Sequence, residues 1–151
     1  MRLLLQRVSR AEVRVDGASR GTIGPGLVVL MGVGHGDHGG VAEQMATRVA
    51  QLRIFRDDEG RTNRSLLEVG GEILAVSQFT LYADTSRGRR PSFLGAAAPE
   101  LGRELYERFA ASLEALGVRV ARGEFGAEME VELVNDGPMT IWLDSQPERG
   151  P

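Results

Sequence analysis

Residues Leu27 to Val33 form an apolar run without alternation, bounded by Gly26 and Gly34. A strand with one wet face alternates polar and apolar residues, so a run without alternation predicts a strand covered on both faces. A lone hairpin or a small open sheet cannot provide two covering layers. A chain of 151 residues can, since one of this length buries roughly 68–70% of its unfolded surface. The same run is far short of the ~18 residues a membrane-spanning helix needs. The start, Met1-Arg2-Leu3-Leu4-Leu5-Gln6-Arg7, has too short an apolar core for a secretory signal and no small-residue cleavage site. A cytoplasmic location is the expectation.

Around that run the pattern supplies the layers. Residues 2–8 and 11–15 carry apolar and β-branched positions, and Asp16-Gly17 separates them from Arg20 to Ile23, which predicts an N-terminal strand and hairpin. Val41, Met45, Val49 and Leu52 recur at helical spacing, with Glu43, Gln44 and Arg48 on other faces. Asp57-Asp58-Glu59-Gly60 is a turn signal and Gly70-Gly71 another, before an expected strand from Glu72 to Tyr82. Pro99, Glu100 and Glu104 suit the first turns of a second helix. Its apolar face is Leu101, Leu105, Phe109, Leu113 and Leu116, and Gly117 ends it. Two more strands are expected, Glu128 to Val134 and Met139 to Leu143. The expected fold is α+β: a curled mixed β-sheet, a partly closed barrel, with two main helices. Residues 1–143 are read as a single domain and 144–151 as a flexible polar tail.

The residue types that are missing narrow the chemistry. There is no cysteine, hence no disulfide framework, thiol nucleophile or Cys-ligated zinc. There is also no lysine, so a Schiff base and a P-loop with its phosphate-binding Lys are excluded. The only histidines, His35 and His38, lie together in a glycine-rich loop, and any Ser-His-Asp triad would have to draw its base from there. No cluster of metal ligands is apparent, and no metal or cofactor is expected. The net charge of −3 argues against a protein that embraces a long stretch of nucleic-acid backbone, DNA included, but not against one that grips an end. Arg87, Arg89 and Arg90 form a local basic loop, read either as a solvated surface or as a phosphate contact.

Two segments remain as carriers of function. Ser77-Gln78-Phe79-Thr80-Leu81 puts two hydroxyls and an amide at the end of a buried strand. Strand parity sends Ser77 and Thr80 to opposite faces, so both serve one site only if the strand bends or ends there. Asn135-Asp136-Gly137-Pro138-Met139-Thr140 reads first as a hairpin turn between alternating strands. The proline is unusual at the start of a strand, and an X-Pro bond can be cis, presenting two carbonyl oxygens as ordinary turns do not.

Taken together, in order and at this separation, the two segments resemble the signature motifs of the D-aminoacyl-tRNA deacylase family. The resemblance extends over residues 1 to about 143 and includes Gln6-Arg7-Val8, Arg87 to Phe93 and Gly123 to Met129. Met139 stands where the family more often has valine. The resemblance implies the deacylase fold and a homodimeric hydrolase. It would cleave the ester between a D-amino acid, or glycine, and the terminal ribose at the 3′ end of aminoacyl-tRNA. It implies a cis Gly137-Pro138 that reaches into the partner's site as the chiral filter, and a catalytic segment of Ser77, Gln78, Phe79 and Thr80. The tRNA 2′-OH would assist, with backbone N–H groups near Phe79 and Thr80 receiving the oxyanion, or Thr80 would act as nucleophile. It further implies Arg7 as a brace for the partner's Gly-Pro corner, Phe125 and Met129 in an adenine pocket, and Asn135 and Thr140 in support. Two other functions compete with this one: a small Ser/Thr esterase using His35 or His38, and a binding module for a tRNA end or D-amino acids without turnover.

Overall fold

The computed structural model describes residues 1–146. Its elements in chain order are β1 (Arg2–Val15), β2 (Ala18–Ile23), β3 (Gly26–Gly32), α1 (Gly39–Gln51), β4 (Phe55–Arg56), β5 (Thr62–Arg64), α2 (Leu66–Val69), β6 (Glu72–Ser77), a 3-10 turn (Phe79–Tyr82), α3 (Pro99–Ala115), β7 (Val120–Arg122) and β8 (Glu130–Asp144). One mixed sheet holds six of the strands, in the order β2-β1-β3-β6-β7, with β8 on the other edge of β1. β3, β6 and β7 run parallel to one another and the remaining pairs are antiparallel. Across the gap between the end strands, Arg119 donates to the Thr22 carbonyl at 3.2 Å and Arg20 pairs with Glu124. The sheet is therefore a nearly closed barrel.

The two N-terminal segments are one strand. Leu3 and Leu5 face the layer of α1 and α3, whereas Val8, Ala11 and Val13 face the inside of the curl. Val8 lies opposite Leu3 and Leu5 by strand parity, and Ser9, an extra residue in the register between Val8↔Asn135 and Arg10↔Val134, shifts that parity so that Ala11 and Val13 share the face of Val8. β3 separates the same two cores: Leu27, Val29 and Met31 pack under the helices, and Val28 packs inside the curl. Both faces are covered, as the unbroken apolar run requires.

On the helical side α1 contributes Ala42, Met45, Ala46, Val49 and Ala50, and α3 contributes Leu105, Tyr106, Phe109 and Leu113. Burying side chains the size of Leu and Phe stabilises by about 1.5–3 kcal/mol each, which outweighs the modest propensity of either helix alone. Leu116, expected on this face, is instead the exposed C-cap of α3, and Gly117 turns the chain away at φ +88°. α2 is a single turn held by a capping box between Ser65 and Glu68. β4 and β5 close the expected Asp57 to Gly60 turn as a short hairpin.

Asp144, expected to begin the tail, is the last residue of β8. It pairs in register with Arg2, whose Nε donates to its carboxylate at 3.1 Å, so the polar end of the strand is satisfied across the ladder. The rest of the expected tail beyond Gln146 lies outside the described residues.

Candidate active site

A cleft of about 690 Å³ opens where β6 ends, between that end, the first turns of α3 and the segment leading into β8. Ser77 is the last strand residue, in register with Met31. The Gln78 N–H donates to the Met31 carbonyl at 2.7 Å, and the chain then winds into the 3-10 turn, with the Leu81 N–H on the Gln78 carbonyl at 3.3 Å. The strand expected to reach Tyr82 therefore stops at Ser77. This removes the parity problem for the neighbours of Ser77: Ser77, Gln78 and Phe79 all line the cleft. Thr80 is not among the lining residues. It is exposed, and its hydroxyl accepts a hydrogen bond from Gln78 Nε2. The Phe79 and Thr80 amides precede the first hydrogen bond of the turn and so carry no intrahelical partner.

Phe79 is 58% exposed although it stands at the mouth of an apolar cleft, and its ring meets the edge of Phe93 at 5.1 Å. The other wall is Phe125 with Met129. Phe125 is fixed by α3: Tyr106 lies 6.0 Å from its ring, Arg103 stacks over it at 4.8 Å, and Gly102 lets the helix approach. A Cβ on Gly102 would sit 3.2 Å from the tip of the Phe125 ring. The Tyr106 hydroxyl donates to the Ala75 carbonyl at 2.8 Å. Burial, with the nearby Glu107 carboxylate, pushes its pKa up to about 12, so it remains a neutral donor.

The second segment is not a hairpin turn. β8 runs unbroken from Glu130 to Asp144 beside β1, and the register steps from Val8↔Asn135 to Gln6↔Thr140. Asp136 to Met139 thus bulge out opposite Arg7 alone. Asn135 closes the bulge from within: its Nδ2 donates to the Arg7 and Met139 carbonyls at 3.0 Å each, and its Oδ1 accepts from the Met139 N–H at 3.1 Å. A side-chain amide can replace the two ladder partners that the bulge removes. Thr140 resumes the ladder and accepts from Gln6 Nε2 at 3.4 Å.

Gly137-Pro138 is cis, Gly137 has φ +131°, and both residues are exposed and absent from the lining of their own chain's cleft. Arg7 is buried behind this corner. It donates from Nε to the Asp136 carbonyl at 3.2 Å and from a terminal nitrogen to the Ile54 carbonyl at 2.6 Å, and it pairs with the Asp136 carboxylate. Within its own chain Arg7 therefore braces the corner through Asp136. The reason is register: Arg7 is the one β1 residue opposite the bulge.

His35 and His38 are not in the cleft. His35 Nε2 meets the Leu94 carbonyl at 2.7 Å and His38 is the N-cap of α1; neither ring is hydrogen-bonded to Ser77 or Thr80, whose hydroxyl is engaged by Gln78. Among the described residues no group of three or more His, Asp or Glu could hold a metal ion, and no helix is long and apolar enough to cross a membrane. Sequence reasoning missed Phe93, Gly102 and Tyr106 as site residues. Gly102 and Tyr106 are one turn apart on the buried face of α3, a spacing that was available as a signal.

The curled sheet with two main helices is the fold of the tRNA deacylases, hydrolases of ester bonds. A solved structure described as a probable eukaryotic D-amino acid tRNA deacylase has this fold, with a TM-score of 0.81 at 21% identity, covering 94% of this chain and 97% of that one. The chain belongs to the D-Tyr-tRNA(Tyr) deacylase family, whose model matches residues 4–144. The D-aminoacyl-tRNA deacylase of Thermomicrobium roseum is 60% identical over 150 residues, 99% of this chain and 97% of the relative. The solved structure of a c-Myc DNA unwinding element binding protein is 38% identical, with a TM-score of 0.90, covering 96% of this chain and 99% of that one.

Proposed function

We propose that the chain hydrolyses the ester between a D-amino acid, or achiral glycine, and the 3′-terminal ribose of tRNA, releasing free amino acid and tRNA and so proofreading chirality for translation in the cytoplasm. The observation that carries this reading is the meeting of Ser77, Gln78 and Phe79 with Phe125 and Met129 across one cleft. An aminoacyl ester is already activated, so orientation and charge stabilisation matter more than a strong protein base. Phe125 and Met129 hold the terminal adenine. Water adds to the ester carbonyl carbon, the oxyanion is received by the Phe79 and Thr80 amides, and the carbon–oxygen bond breaks with the proton passing to the ribose 3′-oxygen. The vicinal 2′-OH assists the proton transfer. No histidine, metal or cofactor has a part.

Stereochemical selection is the role of Gly137-Pro138, with its carbonyls on the substrate amino group. Since the corner is exposed and lies outside the lining of its own cleft, it acts in the cleft of a second copy, and the working unit is a homodimer. Arg7 and Asn135 hold the corner rigid, and Thr140 anchors it to β1. The net charge of −3 offers duplex DNA no broad basic face, and neither DNA nor a membrane is a partner in this reading. Deacylation of matched D- and L-tyrosyl-tRNA tests it. Cleavage of the D-ester alone is expected, with a large loss of rate when the terminal adenosine lacks its 2′-OH. Equal cleavage of both enantiomers would overturn it.

A further inference from the structure

Of the 17 arginines among the described residues, 11 pair with a carboxylate. Two of the other six are explained locally. Arg48 sits in the last turn of α1, where the helix dipole favours a cation, and Arg53 donates to Asn63. The remaining four, Arg87, Arg89, Arg90 and Arg103, are exposed and have no carboxylate partner among the described residues.

Arg103 is stacked on Phe125, a cleft wall. The other three stand on a loop whose base is tied by two hydrogen bonds between Asp84 and Ser92, at 2.8 and 2.9 Å. The Asp84 carboxylate there is turned onto the Ser86 N–H and not onto an arginine. The next residue after the tie is Phe93, which lines the cleft and touches Phe79. The loop is thus mounted on the lip. In a chain of net charge −3, four of the six described arginines without a carboxylate partner thus belong to elements that build this opening, while the charged residue among its lining, Glu128, is an anion. Attraction for an anionic ligand must come from the mouth.

We infer that Arg87, Arg89, Arg90 and Arg103 grip the backbone phosphates of the single-stranded 3′ end of the tRNA and feed its terminal nucleotide into the cleft. The inference rests on the deacylase reading for the identity of the RNA. These are positioning residues, since they contact the substrate away from the reacting ester. Guanidinium groups suit phosphate oxygens because their donors meet them in a bidentate fork.

The test is the salt dependence of binding to uncharged tRNA, which needs no turnover. Each phosphate neutralised on a single strand contributes a log–log slope of about −0.7, so four contacts give between about −2 and −3. With Arg87→Gln, Arg89→Gln and Arg90→Gln combined, the slope should fall to about −0.7 and affinity at low salt should drop at least roughly tenfold. Lysine at the same three positions keeps the charge and should restore most of the slope. Arg48→Gln removes a charge elsewhere and should leave it unchanged. An unchanged slope in the triple glutamine variant would overturn the inference, as would an equal loss in the lysine variant or in Arg48→Gln. Failure of the wild-type chain to cleave D-tyrosyl-tRNA would count against the deacylase reading instead, and is read in a separate assay.

Discussion

Gly137 is the residue at which geometry leaves least freedom. Its φ of +131° lies where side chains are strained, and a Cβ there would stand 2.9 Å from an Arg7 guanidinium nitrogen and 3.0 Å from the Met139 backbone nitrogen. Gly137→Ala should cost about 1–3 kcal/mol of stability, read as a modest fall in the urea midpoint. The corner must shift to make room, and a displacement near 1 Å at a positioning group lowers turnover by roughly 100-fold. A variant that unfolds more readily yet turns over D-tyrosyl-tRNA at the wild-type rate would remove the corner from the mechanism. Thr80 is the opposite case. Its hydroxyl is exposed, engaged by Gln78 and outside the cleft lining, with no base beside it. Thr80→Ala should therefore retain turnover within about tenfold in a single-turnover assay, whereas a loss of about 10⁴-fold would make Thr80 the nucleophile.

At the scale of elements, α3 carries the site wall and is tied to the sheet by one buried polar contact, Tyr106 to the Ala75 carbonyl of β6. The folded state raises the phenol pKa from 10.0 to about 12, so it favours the protonated form. That contribution is complete below the unfolded value and is lost as pH rises from about 10 to about 12. Tyr106→Phe should cost about 1 kcal/mol at neutral pH and should lose less stability than wild type between pH 10 and 12, measured by urea unfolding at both ends. An alkaline loss identical to wild type would assign the effect to another group. The elements that sequence made legible are those whose burial shows in the pattern itself: the helical period of α1 and α3, and the unbroken apolar run of the two-faced β3. Those it did not are set by register. Nothing local in Glu72 to Tyr82 says that the strand stops at Ser77, because the stop is fixed by the last ladder partner, Met31. Asn135-Asp136-Gly137 has the composition of a turn but lies in a bulge, because β1 continues past it on one side and Asn135 supplies the missing partners. The Ser65 to Glu68 capping box, by contrast, carries its signal in local spacing, although it was not among the expectations drawn from sequence.

For the whole molecule, the decisive relation is between two parts of the chain that do not meet. The cleft is built by the end of β6, α3 and the approach to β8, whereas the Gly137-Pro138 corner is exposed and outside that cleft. If one site needs both, each site takes its cleft from one subunit and its corner from the other, and a two-fold dimer supplies two such sites reciprocally. This arrangement predicts complementation between two inactive chains. Gly137→Ala damages the corner and leaves the cleft. Phe79→Asp places a carboxylate where negative charge develops and leaves the corner, and because Phe79 is already 58% exposed the fold should tolerate it. Unfolded together and refolded at equal amounts, the two chains pair at random and half the dimers are mixed. Each mixed dimer holds one site with an intact cleft facing an intact corner, so the mixture should recover about a quarter of wild-type deacylation of D-tyrosyl-tRNA. Each variant refolded alone should show almost none. If the site is complete within one chain, the mixture will give only the mean of the two variants, and the shared-site dimer is wrong.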